Sequence, residues 1–355
     1  MRKKEFEKIK DLIYSENQNK EQDFKEYLSN KLVELQTLLK NDSDVVKSVT
    51  KLKEILDLEY NGLHSKAFDL FCKLMNELPD NTFEIERDTD FYRIRKCEFS
   101  ERKKIDLKEM FHIPFTKRGI VKTQRYSISG LPCLYLSRSV YGCWEEMGRP
   151  HLDECMVSRF QNRKELIVFD IRIPIDYKDY KTKSKDFFKL FPLIASCMVP
   201  VKNQNDFYKP EYIIPQMLME WILTHNEKNR SKSIVGVYYT SVLVEKDNEI
   251  VEQFTEQHLH NVAIPAIYSI KDEKYSSALC KLFCLTKPIC REFEAAKGRY
   301  RTIADFECDI YESSDYGFLE KRLKDAEDPE GKTKKQQLYS IKTSGSNRII
   351  KKIVL

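Results

Sequence analysis

The sequence predicts an α+β protein, and two patterns along the chain carry that prediction. In residues 1 to about 80, apolar side chains recur at helical spacing. After Pro79, short apolar or alternating segments typical of strands interleave irregularly with helical segments. The composition is that of a globular chain, because apolar residues make up 41% and charged residues 33% of the 355 residues.

Four apolar stripes predict helices in the first part of the chain. They cover residues 6–13, 24–39, 45–56 and 63–78. Asn41-Asp42-Ser43 supplies a turn and a helix N-cap, and Asn61-Gly62 supplies a second break. Because glycine is nearly absent and the stripes are regular, we predict that residues 1–82 form a helical module. We expect this module to regulate or assemble the protein and to contribute no catalytic group.

The later part of the chain predicts strands and further helices. Residues 91–95 alternate in strand fashion, and apolar runs predict strands at 131–136, 166–171, 233–239 and 262–264. Helices are predicted at 140–147 and 210–223, the second with a proline near its start. A polar run follows Ala326, so residues 326–355 are predicted to form a flexible tail. From Gly331 onward this tail holds seven Lys and Arg and no acid.

The spacing of the cysteines and the length of the apolar runs indicate the compartment in which the protein acts. The ten cysteines are scattered without a C-x-x-C pair, so we expect reduced thiols and no metal site. Cys280, Cys284 and Cys290 cluster near an apolar stretch, which favours buried core cysteines over metal ligands. The longest apolar run, 192–201, is far shorter than the ~20 residues of a membrane span, and no apolar segment follows the basic start. We therefore expect a cytoplasmic protein with no membrane partner.

Residues with catalytic chemistry concentrate between positions 118 and 146. Arg125 precedes Tyr135 by ten residues, and Tyr135 precedes Glu146 by eleven. The predicted order is a polar turn, a short strand and a helix. One short segment therefore supplies a cation, an aromatic ring and a carboxylate.

The helix predicted at 140–147 carries two adjacent carboxylates. Its apolar face consists of Val140, Cys143, Trp144 and Met147. At about 100° per residue, Glu145 points nearly opposite this face and is expected to reach solvent. Glu146 lies on the flank, from which a side chain reaches a cleft. Glu146 is therefore the predicted catalytic carboxylate.

This segment resembles the RES domain, a bacterial toxin family named for an arginine, a glutamate and a serine. The resemblance covers roughly residues 88–290 and rests on four pieces. They are residues 92–95, 119–130, 135–146 and 236–241, the last ending at Ser241. Thr123-Gln124-Arg125-Tyr126-Ser127 stands where compact family members read glycine-glycine-arginine-tryptophan-asparagine. The backbone of this loop is therefore expected to differ from theirs.

The family degrades NAD on a scaffold similar to ADP-ribosyltransferases. The resemblance therefore implies an ADP-ribosyltransferase-like catalytic domain over residues 83–325, with NAD as substrate and no further cofactor. It implies catalytic roles for Glu146, Arg125, Tyr135 and Ser241, and NAD-binding roles for Arg125, Tyr126, Tyr135, Arg93 and Arg95. Alternation puts Arg93 and Arg95 on one strand face, from which either could line the same cleft.

Cleavage of the nicotinamide–ribose bond requires side chains of these types. A carboxylate stabilises the positive charge that develops on the ribose, and a planar arginine grips the diphosphate. An aromatic ring can stack on nicotinamide, and a hydroxyl can orient the ribose or the amide. Each residue also has an ordinary structural alternative: Arg125 in a surface ion pair, Tyr135 in the core, Glu146 in solvent and Ser241 as a turn or cap residue.

The leading functional hypothesis is an NAD-consuming enzyme of toxin type, either an NAD glycohydrolase or an NAD phosphorylase. An alternative on the same scaffold is ADP-ribosyl transfer to a protein or nucleic acid. An alternative of another class is a non-catalytic nucleic-acid-binding protein that uses the basic tail, although the net charge is only +5 and no known binding motif occurs. The resemblance implies a helix-turn-helix (Xre-type) antitoxin or other inhibitor as partner. The N-terminal helices also favour a homo-oligomer.

Overall fold

Helices and strands interleave irregularly along the chain, so the predicted α+β class is confirmed. A computed structural model of the protein describes residues 1–15, 22–98, 105–174, 177–228, 233–242, 256–270, 272–291, 314–327 and 333–341. In these ranges the α-helices are α1 (Lys3–Tyr14), α2 (Phe24–Leu38), α3 (Ser43–Tyr60), α4 (His64–Glu77), α5 (Val140–Glu146), α6 (Tyr177–Thr182), α7 (Phe191–Cys197), α8 (Ile213–Lys228), α9 (Ser277–Leu282) and α10 (Asp315–Lys324). The strands are β1 (Thr82–Ile85), β2 (Asp90–Lys96), β3 (Cys133–Ser137), β4 (Cys155–Asn162), β5 (Leu166–Asp170), β6 (Val237–Thr240), β7 (His260–Pro265), β8 (Phe283–Leu285), β9 (Asp325–Glu327) and β10 (Thr333–Lys335).

The helices predicted for the first 80 residues are present as α1 to α4. Asp42 caps α3 as predicted, since its carboxylate accepts the backbone N–H of Asp44 at 3.0 Å. After α3, Gly62 adopts a φ of +72°, a left-handed conformation that favours glycine and turns the chain towards α4. Local signals therefore determine where these helices begin and end.

The chain divides into two compact units. Unit 1 comprises Met1–Phe83, Thr123–Ser129 and Ile167–Val242, and unit 2 comprises Glu84–Lys122, Gly130–Leu166 and Leu243–Leu355. The helices α1 to α4 thus pack in one unit with later parts of the chain. The predicted boundary at residue 82 stays a prediction, because packing does not measure whether residues 1–82 fold alone.

In unit 1 the N-terminal helices share their core with α6, α7 and the segment before α7. The rings of Phe6 and Tyr180 have centroids 5.1 Å apart, and Lys189 pairs with Asp44 at 2.9 Å. Strands β5 and β6 run parallel in this unit. Their carboxyl ends therefore lie at the same edge, and Ser241 follows β6 there.

Unit 2 contains five antiparallel strands in the order β7-β3-β2-β4-β8. Their register places four side chains in one row across the sheet, because directly opposed residues share a face. Asn261 lies opposite Ser137, Ser137 opposite Tyr92, and Tyr92 opposite Arg159.

The two faces of this sheet have separate cores. On the face with the row, Tyr92 and Ile94 pack against α5 and α10. On the other face, the ring of Phe283 contacts Phe91 at 6.2 Å and Phe160 at 6.4 Å between centroids. Helix α5 therefore lies on the same face as Tyr92 and Asn261.

The prediction of a flexible tail over residues 326–355 is wrong for the part of the tail that the structure describes. Strand β10 pairs antiparallel with β9, and Tyr339 exchanges two backbone hydrogen bonds with Leu285. Leu338 and Ile341 are buried. These two apolar side chains anchor a segment whose composition is otherwise basic, and residues 342–355 lie outside the described ranges.

The described cysteines are free thiols, and Cys280, Cys284 and Cys290 are buried as predicted. Burial raises the pKa of the Cys280 thiol to about 12, so this group is a protonated core side chain at neutral pH. Among the described residues, no helix combines the length and the hydrophobicity needed to cross a bilayer.

Candidate active site

Helix α5 is held at its N-terminus by polar groups from distant parts of unit 2. Ser139 is the N-cap: its Oγ accepts the N–H of Gly142 at 2.8 Å and donates to the carbonyl of His258 at 2.6 Å. A carboxylate oxygen of Glu320 accepts the N–H of Val140 at 2.8 Å. A negative charge at this end also suits the helix dipole. The position of α5 is therefore set by α10 and by the segment before β7.

Gly142 allows α5 to approach the sheet closely. A Cβ at this position would lie 2.8 Å from the carbonyl oxygen of His258 and closer still to Ser137 Oγ. Real Cβ atoms do not approach a backbone oxygen so closely, so any side chain here would push α5 away. Glycine is needed for this contact, and its φ is not unusual.

We expect Gly142→Ala to destabilise the protein by about 1–3 kcal/mol and to reduce any activity that depends on α5, because the added methyl displaces the helix. Thermal denaturation measures the first effect. Gly119→Ala is the matched control, since no atom lies within 4 Å of the added Cβ. Equal melting temperatures for the two variants would contradict the close-contact explanation.

The predicted orientation of Glu145 is wrong, because this residue is buried and does not reach solvent. Its relative exposure is 2%, and its carboxylate pairs with Arg149 Nε at 3.0 Å. Tyr316 of α10 packs against α5, with its ring 5.2 Å from Tyr141 and 5.5 Å from Trp144. Burial, together with the charge of Glu145, raises the pKa of Tyr316 to about 12. Helix α5 is therefore buried on more than one side, whereas the apolar pattern of its sequence predicts a single buried face.

Glu146 is the exposed carboxylate at the C-terminal end of α5. Its Oε1 accepts a hydrogen bond from Asn261 Nδ2 at 2.8 Å. Asn261 itself is buried, with 2% exposure. The end of the helix therefore presents a carboxylate that is open to solvent and fixed on one side by a buried amide.

Tyr135 lies on the same face of the sheet as this pair. It is opposite Ala263, and Ser137 is opposite Asn261, so Tyr135 and Asn261 are diagonal neighbours on one face. Tyr135 is half-buried, whereas Leu134 and Leu136 are buried on the other face. The structure thus brings the predicted tyrosine and glutamate to one side of unit 2.

Arg93 and Arg95 share one strand face as predicted, but it is the face opposite to Tyr135. Tyr92 lies on the Tyr135 face, and its chain neighbour Arg93 must point the other way. Arg93 donates to the carbonyls of Met110 and Phe111 at 3.2 and 2.7 Å, and burial lowers its pKa to about 10. The NAD-binding role of Arg93 and Arg95 stays a prediction, and the register places these arginines on the sheet face opposite to Tyr135.

In unit 1, Arg125 is half-buried on the loop 123–129. Its Nη1 donates to the carbonyls of Cys197 and Val199 at 2.9 and 2.8 Å, and its guanidinium lies 5.3 Å from the ring centre of Tyr212. These carbonyls lie at the C-terminal end of α7 and just beyond it, where backbone acceptors lack helical partners. Arg125 therefore ties the loop to a helix end and is not a surface ion-pair residue.

Tyr126 and Ser241 are buried in the same unit. Tyr126 is 1% exposed, and its ring contacts that of Tyr239 in β6 at 4.7 Å. Ser241 is fully buried directly after β6. Tyr126 therefore packs the loop 123–129 against β6, the strand that leads to Ser241.

Asn261 is the residue of this region that sequence reasoning misses. A polar residue at the start of an apolar strand is a weak signal, and Asn261 is 115 positions from Glu146. Only the register of β3 and β7 shows that its side chain reaches the end of α5.

The described residues define an α+β protein in which a clamped helix presents a carboxylate over an antiparallel sheet. Among curated proteins, the chain is similar to the one named "Putative toxin YopC" from Bacillus subtilis (strain 168), with 32% identity over 266 residues. The match covers 68% of this chain and 58% of that protein, so the chain spans less than two thirds of its relative. No protein-family model matches the chain, and no solved structure matches it.

Proposed function

We propose that the protein is a toxin-type enzyme that cleaves the nicotinamide–ribose bond of NAD on an ADP-ribosyltransferase-like scaffold. The observation that carries this proposal is the exposed carboxylate of Glu146, held by a buried amide on the same sheet face as Tyr135. The sequence resemblance assigns catalysis to these two residues independently of their geometry.

The proposed reaction separates charge at the ribose. The bond between ribose C1′ and the nicotinamide nitrogen breaks, and its electron pair leaves with nicotinamide as a neutral ring. The carboxylate of Glu146 stabilises the cationic ribose, and Tyr135 supplies a ring that can stack on nicotinamide. Water or phosphate then forms the new bond to C1′, and the proton released from water passes to solvent.

The resemblance also implies roles for Arg125 and Ser241, which lie in unit 1. Nη1 of Arg125 donates to the carbonyls of Cys197 and Val199. Among the described residues, Nε and Nη2 of Arg125 donate to no acceptor. This edge has the planar geometry that grips a diphosphate. Ser241 is proposed to orient the ribose or the amide. Tyr126 supports the loop through its contact with Tyr239.

The toxin part of the proposal is supported by the curated relative, whose printed name is that of a toxin. A toxin that consumes a central metabolite requires a neutralising partner, for which we propose an Xre-type antitoxin or another inhibitor. The proposed NAD cleavage is tested by incubating the protein with NAD and identifying the products by mass spectrometry. ADP-ribose indicates water as acceptor, its 1″-phosphate indicates phosphate, and a modified macromolecule indicates ADP-ribosyl transfer.

We expect Arg125→Lys to weaken NAD binding roughly tenfold, because lysine keeps the charge but loses the bidentate grip. Titration calorimetry on a Glu146→Gln background, in which substrate is not consumed, measures the affinity. Arg163→Lys, a change at an exposed arginine of unit 2, is the control. Unchanged affinity in a folded Arg125→Lys variant would exclude Arg125 as the diphosphate clamp.

A further inference from the structure

We propose that Asn261 is a positioning residue that holds the carboxylate of Glu146 in its ionised form and in one orientation. This inference rests on the proposed function for its catalytic meaning. The contact itself is independent of that function: Asn261 Nδ2 donates to Glu146 Oε1 at 2.8 Å.

The orientation of the Asn261 amide follows from the chemistry of its partner. An ionised carboxylate only accepts hydrogen bonds, so the NH₂ side of the amide must face Glu146. This leaves Oδ1 buried, and it has no hydrogen-bond partner among the described residues. Leaving a buried acceptor unpaired costs stability, so this asparagine is not explained by stability alone.

The backbone around Asn261 keeps the amide in place. Asn261 lies within β7, opposite Ser137 of β3, and is 2% exposed. Glu146, in contrast, is an exposed residue at a helix end, where an unaided side chain samples several rotamers. A donor on the sheet therefore restricts the carboxylate on the helix, as a positioning residue does for a catalytic group.

Other titratable groups near α5 have positions or partners of their own. Glu145 is buried and paired with Arg149 at 3.0 Å. Glu320 binds the opposite end of the helix, at Val140 N. His260 precedes Asn261 and so points to the other face of the sheet, and Tyr135 lies one diagonal step away on β3.

The test is a ¹³C NMR titration of the Glu146 side-chain carboxyl in the full chain, with the resonance assigned by its loss in Glu146→Gln. We expect Asn261→Ala to move the titration midpoint to higher pH by about 0.5, because the ionised form loses a hydrogen bond. Asn261→Asp should move it further upward, since a second carboxylate then lies beside the first. The acid limb of the pH dependence of kcat/KM for NAD should move in the same direction.

Asn162 provides the matched control. It is also a buried asparagine of unit 2, but its Oδ1 accepts from Thr89 N at 2.7 Å and its Nδ2 donates to the carbonyls of Glu86 and Lys164 at 2.8 Å. Asn162→Ala should lower the melting temperature without moving the Glu146 midpoint. Asn261→Ala should move the Glu146 midpoint and leave the melting temperature nearly unchanged, because it removes a buried oxygen that has no hydrogen-bond partner.

An unmoved Glu146 midpoint in both Asn261 variants would overturn the inference. A moved midpoint in a protein that leaves NAD intact would support the Asn261–Glu146 coupling and contradict the proposed NAD chemistry, so the two failures are distinguishable.

Discussion

Glu146→Gln is expected to lower the rate of NAD cleavage by about 100-fold or more while leaving the melting temperature unchanged. Glutamine keeps the size of the side chain and one acceptor oxygen but removes the negative charge that stabilises a cationic ribose. Because Glu146 is exposed at the end of α5, its charge contributes little to packing. The effect should therefore appear in kcat and not in folding.

Nicotinamide release measured by chromatography, together with thermal denaturation of the same preparation, tests this expectation. Glu165→Gln is the matched control, since Glu165 is another exposed glutamate of unit 2 and lies between β4 and β5. It should retain full activity. If Glu146→Gln cleaves NAD at the rate of the unmodified protein, Glu146 is not the catalytic carboxylate.

Glu145→Gln is expected to have the opposite signature, with lower stability and normal turnover per folded molecule. Helical periodicity alone places Glu145 in solvent and predicts a nearly silent change. The structure instead gives it 2% exposure and an ion pair with Arg149. Breaking this pair should cost about 1–3 kcal/mol, a value moderated because the Arg149 side chain is 35% exposed and can be hydrated.

Comparing the Glu145→Gln and Glu146→Gln variants in one experiment separates packing from chemistry. Melting temperature and NAD turnover, normalised to the folded fraction, are measured for each. A Glu145→Gln protein with an unchanged melting temperature would contradict the buried ion pair. A Glu145→Gln protein that melts normally but has lost turnover would indicate that Glu145, and not Glu146, is the catalytic carboxylate.

Most secondary structure is predictable from this sequence because it follows local periodicity and capping. The stripes of the first 80 residues correspond to α1 to α4, and the alternating segment 91–95 corresponds to β2. The strand predicted at 233–239 is shorter at its start. The backbone of Ile234 bonds to the side-chain amide of Asn226 in α8, and contact with β5 begins at Val235, whose N–H donates to the carbonyl of Ile167.

The candidate site is less predictable, since its contacts join distant parts of the chain. The type and position of Glu146 follow from local spacing, but the burial of Glu145 depends on Tyr316 of α10. The separation of Arg93 from Tyr135 depends on the register of β2 against β3. The contribution of Asn261 depends on the register of β3 against β7. The local pattern of residues predicts none of these contacts and strand registers.

The central claim is that this chain cleaves NAD between nicotinamide and ribose through Glu146. The most direct test follows nicotinamide release from NAD by catalytic amounts of the 355-residue chain and of its Glu146→Gln and Glu165→Gln variants. We predict multiple turnovers for the unmodified protein and for Glu165→Gln, an ADP-ribosyl product in equal amount, and almost no release by Glu146→Gln. NAD that stays intact in the presence of stoichiometric, folded, unmodified protein would contradict the claim.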